Sequence, residues 1–195
     1  LGSHKLIRDF QQVMEIILVR HGRPQKAGNA LLNAAGFANW VKNYNHSLVS
    51  DQSLPCKFSQ AKYNEHYLVS SDLPRAVHSC SIFSGSPPHY QSRLFREMDI
   101  PRYKLPFTIR AWSWVYLNRA LWTLGKNGRF ESYAQARKRA QLAARELIAL
   151  AQQHDKIILF SHGYLILHIR KHLRRYGLTQ LQKSNSYWGV SAFKD

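Results

Sequence analysis

Cysteine and acidic side chains are scarce in this 195-residue chain. The two cysteines, Cys56 and Cys80, stand at a spacing that matches neither a metal site nor a disulfide framework. A disulfide-stapled fold is thereby excluded, and a reducing, cytoplasmic setting is expected. Long apolar runs are missing as well. Stretches such as 157–160 are far too short to cross a bilayer. The opening residues Leu1-Gly2-Ser3-His4-Lys5 carry no apolar core of signal-peptide length. Residues 1–4 read as a cloning remnant and are set aside. Internal repeats, low-complexity tracts and linkers are absent too, so 1–195 reads as one domain, long enough to bury a proper core.

Base is what the chain has in excess. Lys and Arg number 28 against 11 Asp and Glu, for a net charge of +17. A field of that sign favours anionic partners: phosphorylated molecules, nucleic acid or an acidic surface.

The stretch Glu15-Ile16-Ile17-Leu18-Val19-Arg20-His21-Gly22-Arg23-Pro24 is a compact run of β-formers cut off by Gly and Pro, which predicts a strand buried on both faces. Residues 67–71 and 156–161 read the same way. The spacing predicts helices over 29–44, from 74 to just before Gly85, over 108–124, from 133 onward and over 164–176. Asp72 is the expected N-cap of the second, with Pro74 in its first turn. Ser132-Tyr133-Ala134-Gln135 is a capping-box pattern. The run Arg137, Lys138, Arg139 and Arg145 reads as a solvated face, and His78, His154, His168 and His172 as helix residues without a role. Residues 45–65 form a connection with a short helix, 89–93 a strand, 95–107 a loop and 186–193 an edge strand. Alternating strands and helices predict an α/β, three-layer sandwich: a mostly parallel central sheet with helices on both faces.

Two of the strands end alike, in Arg20-His21-Gly22 and in Ser161-His162-Gly163. The third ends in Ser70-Ser71-Asp72-Leu73-Pro74-Arg75-Ala76. Parallel strands place all three ends on one edge, where open α/β sheets bind ligands. Two histidines and two arginines would converge there, beside helix N-termini that favour anions. Such a cage suits a phosphoryl group. No carboxylate cluster accompanies the histidines to hold a metal, and no cofactor is expected.

These segments, with Phe95-Arg96-Glu97 between them, resemble the histidine phosphatase superfamily, the phosphoglycerate mutase-like fold, over roughly residues 15–193. The resemblance implies that His21 attacks phosphorus, while Arg20, Arg75 and His162 bind the phosphoryl oxygens; on physical grounds a bound phosphate would hold His162 protonated. Glu97 would be the proton donor, with Asp99 the other carboxylate in the same loop. Arg23 and Gly163 are candidate substrate contacts. Many family members carry Thr or Glu and then Asn soon after Arg-His-Gly; here Arg23-Pro24-Gln25-Lys26 follows and Asn29 comes later. The longer glycine- and lysine-bearing insertion of the mutases is not found after Glu97. A metal-independent phosphatase acting on a phosphorylated small molecule or phosphoprotein is therefore expected ahead of a phosphoglycerate mutase-type transferase. A non-catalytic phosphate-binding regulator and, from charge alone, a nucleic-acid-binding module are the rival classes.

Overall fold

Alternation along the first strand sets the architecture. The computed structural model describes residues 13–195, so the cloning remnant read at residues 1–4 lies outside the described residues. In chain order the elements are β1 (Glu15–Arg20), β2 (Leu31–Leu32), α1 (Ala34–Asn45), α2 (Lys57–Lys62), β3 (Tyr67–Ser71), α3 (Pro74–Ser84), β4 (Tyr90–Ser92) and β5 (Ile109–Arg110). There follow α4 (Ala111–Thr123), α5 (Tyr133–His154), β6 (Lys156–Ser161), α6 (Gly163–Arg175), β7 (Thr179–Gln182) and β8 (Val190–Lys194).

Six strands form the central sheet in the order β4-β3-β6-β1-β8-β7. The run from β4 to β1 is parallel; β8 pairs antiparallel with both β1 and β7. Ile16 and Leu18 point to one face, where Val69, Ile157 and Leu159 join Ala143, Leu147, Leu165 and Ile169 of α5 and α6. Ile17 and Val19 point to the other, with Leu68, Ile158 and Phe160 against Cys80 and Phe83 of α3. A period of two along strands covered on both sides gives two cores from one sheet, as the apolar runs predict. A third cluster joins Phe37, Val41 and Tyr44 of α1 to Trp114 and Val115 of α4 and to Ile100. It stands beside the sheet as a cap over the carboxyl ends of the strands. No helix among the described residues is long and apolar enough to cross a membrane.

Several expectations are corrected. The helix read over 29–44 begins only at Ala34, where the Asn33 side chain accepts from the Gly36 amide; Leu31–Leu32 pairs instead with Ile109–Arg110. Asp72 does not cap α3. Leu73 occupies the N-cap position without a side-chain bond, because Asp72 is claimed by the Arg96 guanidinium through two bonds of 2.6 and 2.7 Å. A bidentate charged pair outweighs one capping bond to an amide. Residues 186–193 are not an edge strand: β8 starts at Val190 and lies inside the sheet, and the edge beyond it is β7.

Candidate active site

Strand register builds the centre of the site. Arg20 pairs with Ser161 across the parallel β1–β6 ladder, so His21 and His162 leave neighbouring strands at the same level. Their rings lie 5.0 Å apart between centroids, and both side chains are buried. The His21 Nδ1 is 2.7 Å from the carbonyl of Gly22. A carbonyl only accepts, so Nδ1 carries the proton and Nε2 keeps its lone pair. Arg75 Nε donates to that Nε2 at 3.3 Å.

Arg75 enters from the first turn of α3 and is fully buried. Its Nη1 donates to the carbonyls of Tyr44 and Asn45, and its guanidinium lies 4.7 Å from the Tyr44 ring centroid. Arg20 donates to the Asn185 carbonyl at 2.7 Å and stacks on Tyr187 at 4.1 Å. Ser71 Oγ lies 2.8 Å from His162 Nε2 and also accepts from the Leu73 amide. Three buried nitrogens around this centre have no partner: Arg20 Nε, Arg75 Nη2 and His162 Nδ1. Buried donors are normally satisfied, and orphans cost stability. An oxyanion with several oxygens could satisfy all three.

The two glycines after the histidines permit this crowding. A Cβ on Gly22 would meet Val49 and Trp188 at 2.6 Å, and one on Gly163 would sit 3.1 Å from Arg20 Nε.

Burial lowers the pKa of both central histidines well below 6.5. For His21 the next cause is Arg75, partly countered by the Gly22 carbonyl, with Arg20 adding a smaller push; for His162 it is Arg75 and then His21, with smaller pushes from Arg139 and Arg20. The expectation of a protonated His162 therefore does not describe the ligand-free site. Its neutral ring shares a 2.8 Å hydrogen bond with the Ser71 hydroxyl at Nε2, and Nδ1 has no partner.

Glu97 reaches the site by a long-range cap. α6 has no side-chain N-cap of its own. Its exposed amides are taken up by the Glu97 carboxylate, which accepts from Leu165 N at 2.9 Å and Tyr164 N at 3.3 Å, and from Met98 N at 3.0 Å. Glu97 also lines the cleft that opens beside Arg20 and Gly163. Asp99 instead accepts the Glu131 amide.

Arg139 is the residue the sequence reading misplaced. It is half-buried rather than on a solvated face. Its guanidinium pairs twice with Glu131 at 2.7 Å and donates to the carbonyls of Leu94, Arg96 and Glu97. It fixes the backbone that carries Glu97. Arg139→Ala should lower unfolding free energy by about 2–4 kcal/mol, through a broken, largely buried pair and stranded carbonyls. Chemical denaturation checks this. The remaining sequence candidate, Arg23, is exposed and lines a second cleft that shares Arg20, Trp112 and Tyr116 with the first. Ser71, Tyr44 and Tyr187 were not singled out from sequence, although Ser71 stands inside the quoted Ser-Ser-Asp segment.

His168, read as bland, is buried against Tyr133 and Tyr164, and burial pushes its pKa down to about 4, with Lys171 and Arg137 adding to the shift. The unfolded chain binds protons below pH 6.5 that His21, His162 and His168 refuse in the fold. Stability should therefore fall as pH drops from about 6.5 towards about 4. Melting temperatures across that window test the direction.

The histidine phosphatase superfamily (branch 1) matches residues 52–189, which includes Arg75, Glu97 and His162 but begins after the Arg20-His21-Gly22 segment. No curated protein matches the chain. Among solved structures, a mycobacterial hydrolase superposes with TM-score 0.61 at 16% identity, covering 93% of this chain and 91% of its own. A phosphoserine phosphatase from Entamoeba histolytica, crystallised with 3-phosphoglyceric acid, gives TM-score 0.56 at 16% identity, with 91% and 89% covered. A mycobacterial glucosyl-3-phosphoglycerate phosphatase gives 0.51 at 17%, with 84% and 80% covered. The sheet order, the paired histidine-bearing strand ends and the match over residues 52–189 agree: the chain belongs to the histidine phosphatase superfamily.

Proposed function

We propose that the protein is a phosphatase that hydrolyses a phosphomonoester through a phosphohistidine on His21, without a metal. The observation that carries this reading is the set of three buried, partnerless nitrogens, two of them guanidinium donors, around an imidazole whose lone pair is on Nε2. Arg20 Nε, Arg75 Nη2 and His162 Nδ1 would each take a phosphoryl oxygen, spreading its charge over positioned donors. Burial keeps His21 neutral, and so a nucleophile, at neutral pH.

In the first step Nε2 forms a bond to phosphorus and the bond from phosphorus to the ester oxygen breaks. Glu97 gives its proton to the departing oxygen. In the second step the Glu97 carboxylate takes a proton from water, the water oxygen attacks phosphorus, and the P–N bond breaks to restore His21. The absence after Glu97 of the longer glycine- and lysine-bearing insertion of the mutases supports water rather than a second substrate as acceptor. The net charge of +17 supports attraction of the anionic ester.

Phosphate release from para-nitrophenyl phosphate in excess EDTA tests the reading. Turnover undiminished by the chelator is expected. Turnover that disappears with EDTA and returns with added metal would contradict it.

A further inference from the structure

The groove between α5 and α6 gathers cations that the catalytic reading does not use. We propose that it binds a compact oligophosphate, an anion with two or more linked phosphoryl groups. This goes beyond the hydrolase reading and does not depend on it. Both helices turn apolar stripes to the sheet: Ala140, Ala144 and Leu147 of α5 join Leu165, Ile169 and Leu173 of α6 in one core. The flanks beside those stripes are polar. Arg137, Lys138 and Gln141 lie within about one turn of α5, and His172, Arg175 and Tyr176 within about one turn of α6, so neighbours on each helix face one another across a cleft of about 370 Å³. Ligand clefts run from roughly 300 to 1,000 Å³, so this one suits a small molecule rather than a folded partner. It shares no lining residue with the two clefts beside Arg20. The Tyr176 hydroxyl accepts from Arg145 Nε at 3.0 Å and from Gln141 Nε2 at 3.3 Å, which ties the two helices together at one end of the groove.

The charges in this groove are uncompensated. α6 contains no acidic residue, and Glu146, the acidic residue of α5, accepts from the Tyr90 hydroxyl. Among the described residues, the ion pairs include none of Arg137, Lys138 and Arg175. The inward arginines of the same helices are matched: Arg139 by Glu131, and Arg170 by the Ser184 carbonyl and the Asn185 side chain. Lys171 and Arg175, one turn apart on α6, repel each other. His172 registers the field. Burial lowers its pKa, and Arg175 and Arg137, one from each helix, lower it further. The carbonyl end of α6 sets only about half a negative charge against this. A monophosphate brings about two negative charges; linked phosphoryl groups bring enough to answer Arg137, Lys138 and Arg175 together. A nucleic-acid strand is the rival polyanion, but strands need a track several nucleotides long with free aromatic platforms. This cleft is short, and its tyrosine is held by two hydrogen bonds.

The test is a calorimetric titration at low salt with methylenediphosphonate, which carries two linked phosphoryl groups and does not hydrolyse. Arg137→Gln combined with Arg175→Gln should weaken its binding by about tenfold or more. Both side chains are exposed, so folding is not at stake. Lys57→Gln combined with Lys62→Gln removes the same charge from exposed positions on α2 and should change the affinity by less than about threefold. Arg20→Gln, at the catalytic cage, should leave this binding event within the same limit. Methylphosphonate, with one phosphoryl group, should bind the groove at least about tenfold more weakly. Affinity unmoved by the α5–α6 pair of substitutions, or equal for the two phosphonates, would overturn the proposal. An equal loss in the α2 variant would reduce it to diffuse charge, and loss of all binding in Arg20→Gln would assign the ligand to the cage; either result contradicts it. A short oligothymidylate bound more than about tenfold tighter than the diphosphonate, and released by the same Arg137 and Arg175 substitutions, would make the surface a nucleic-acid track and overturn it as well.

Discussion

His21→Ala should lower phosphate release from any ester by at least about a thousandfold while leaving the fold intact, because removing a nucleophile takes away the covalent route and not merely a contact. The geometry behind this expectation is narrow. Nδ1 is tied to the Gly22 carbonyl, so Nε2 alone carries a lone pair; in the ligand-free site it accepts a long 3.3 Å bond from Arg75 Nε, beside the neighbouring His162. Alanine also leaves Arg75 Nε without an acceptor, so some loss of stability is expected; a circular dichroism spectrum and a cooperative melt separate that loss from unfolding. Turnover by the variant close to that of the wild type would place the reaction on another group.

Glu97→Gln should show a leaving-group pattern that a structural role would not produce. Glutamine keeps an oxygen to accept from the Leu165 or Tyr164 amide, so α6 stays partly capped. It cannot deliver a proton. Turnover of an alkyl ester should fall by about a hundredfold or more, the usual worth of a positioned general acid. Turnover of para-nitrophenyl phosphate, whose leaving group departs without a proton, should fall far less in the bond-breaking step. Equal losses on both esters would mean that Glu97 acts by holding α6 in place. The same pair of esters applied to Asp99→Asn should show no such pattern, since Asp99 holds the Glu131 amide.

Much of this arrangement was readable from residue order alone, for a physical reason. A β-run ending in His-Gly is local: the strand, its stop and its chemical group stand within eight residues, and parallel pairing then brings such ends together. The capping box at Ser132 and Gln135 was local too, and both of its bonds are present. What escaped the sequence is held by distant partners. Asp72 looks like a cap until Arg96, 24 positions on, takes both its oxygens. Glu97 caps a helix 68 residues away, and nothing near either residue signals this. Arg139 stands in a basic run whose other members give no sign that one guanidinium turns inward onto three carbonyls. The edge strand β7 was missed because Thr179-Gln180-Leu181-Gln182 is largely exposed and offers no apolar alternation.

The family match starts at residue 52, after the first strand and loop. The first loop departs from the common pattern through Arg23-Pro24-Gln25-Lys26, yet the strand and histidine before it occupy the centre of the site.

The most direct measurement is mass spectrometry of the wild-type protein quenched within the first turnovers on para-nitrophenyl phosphate, under conditions that preserve the P–N bond. A phosphoryl adduct on the peptide containing His21, absent from His21→Ala, is the expected result. Steady hydrolysis with no adduct on that peptide, or with the phosphoryl group on a different side chain, would contradict the proposed chemistry.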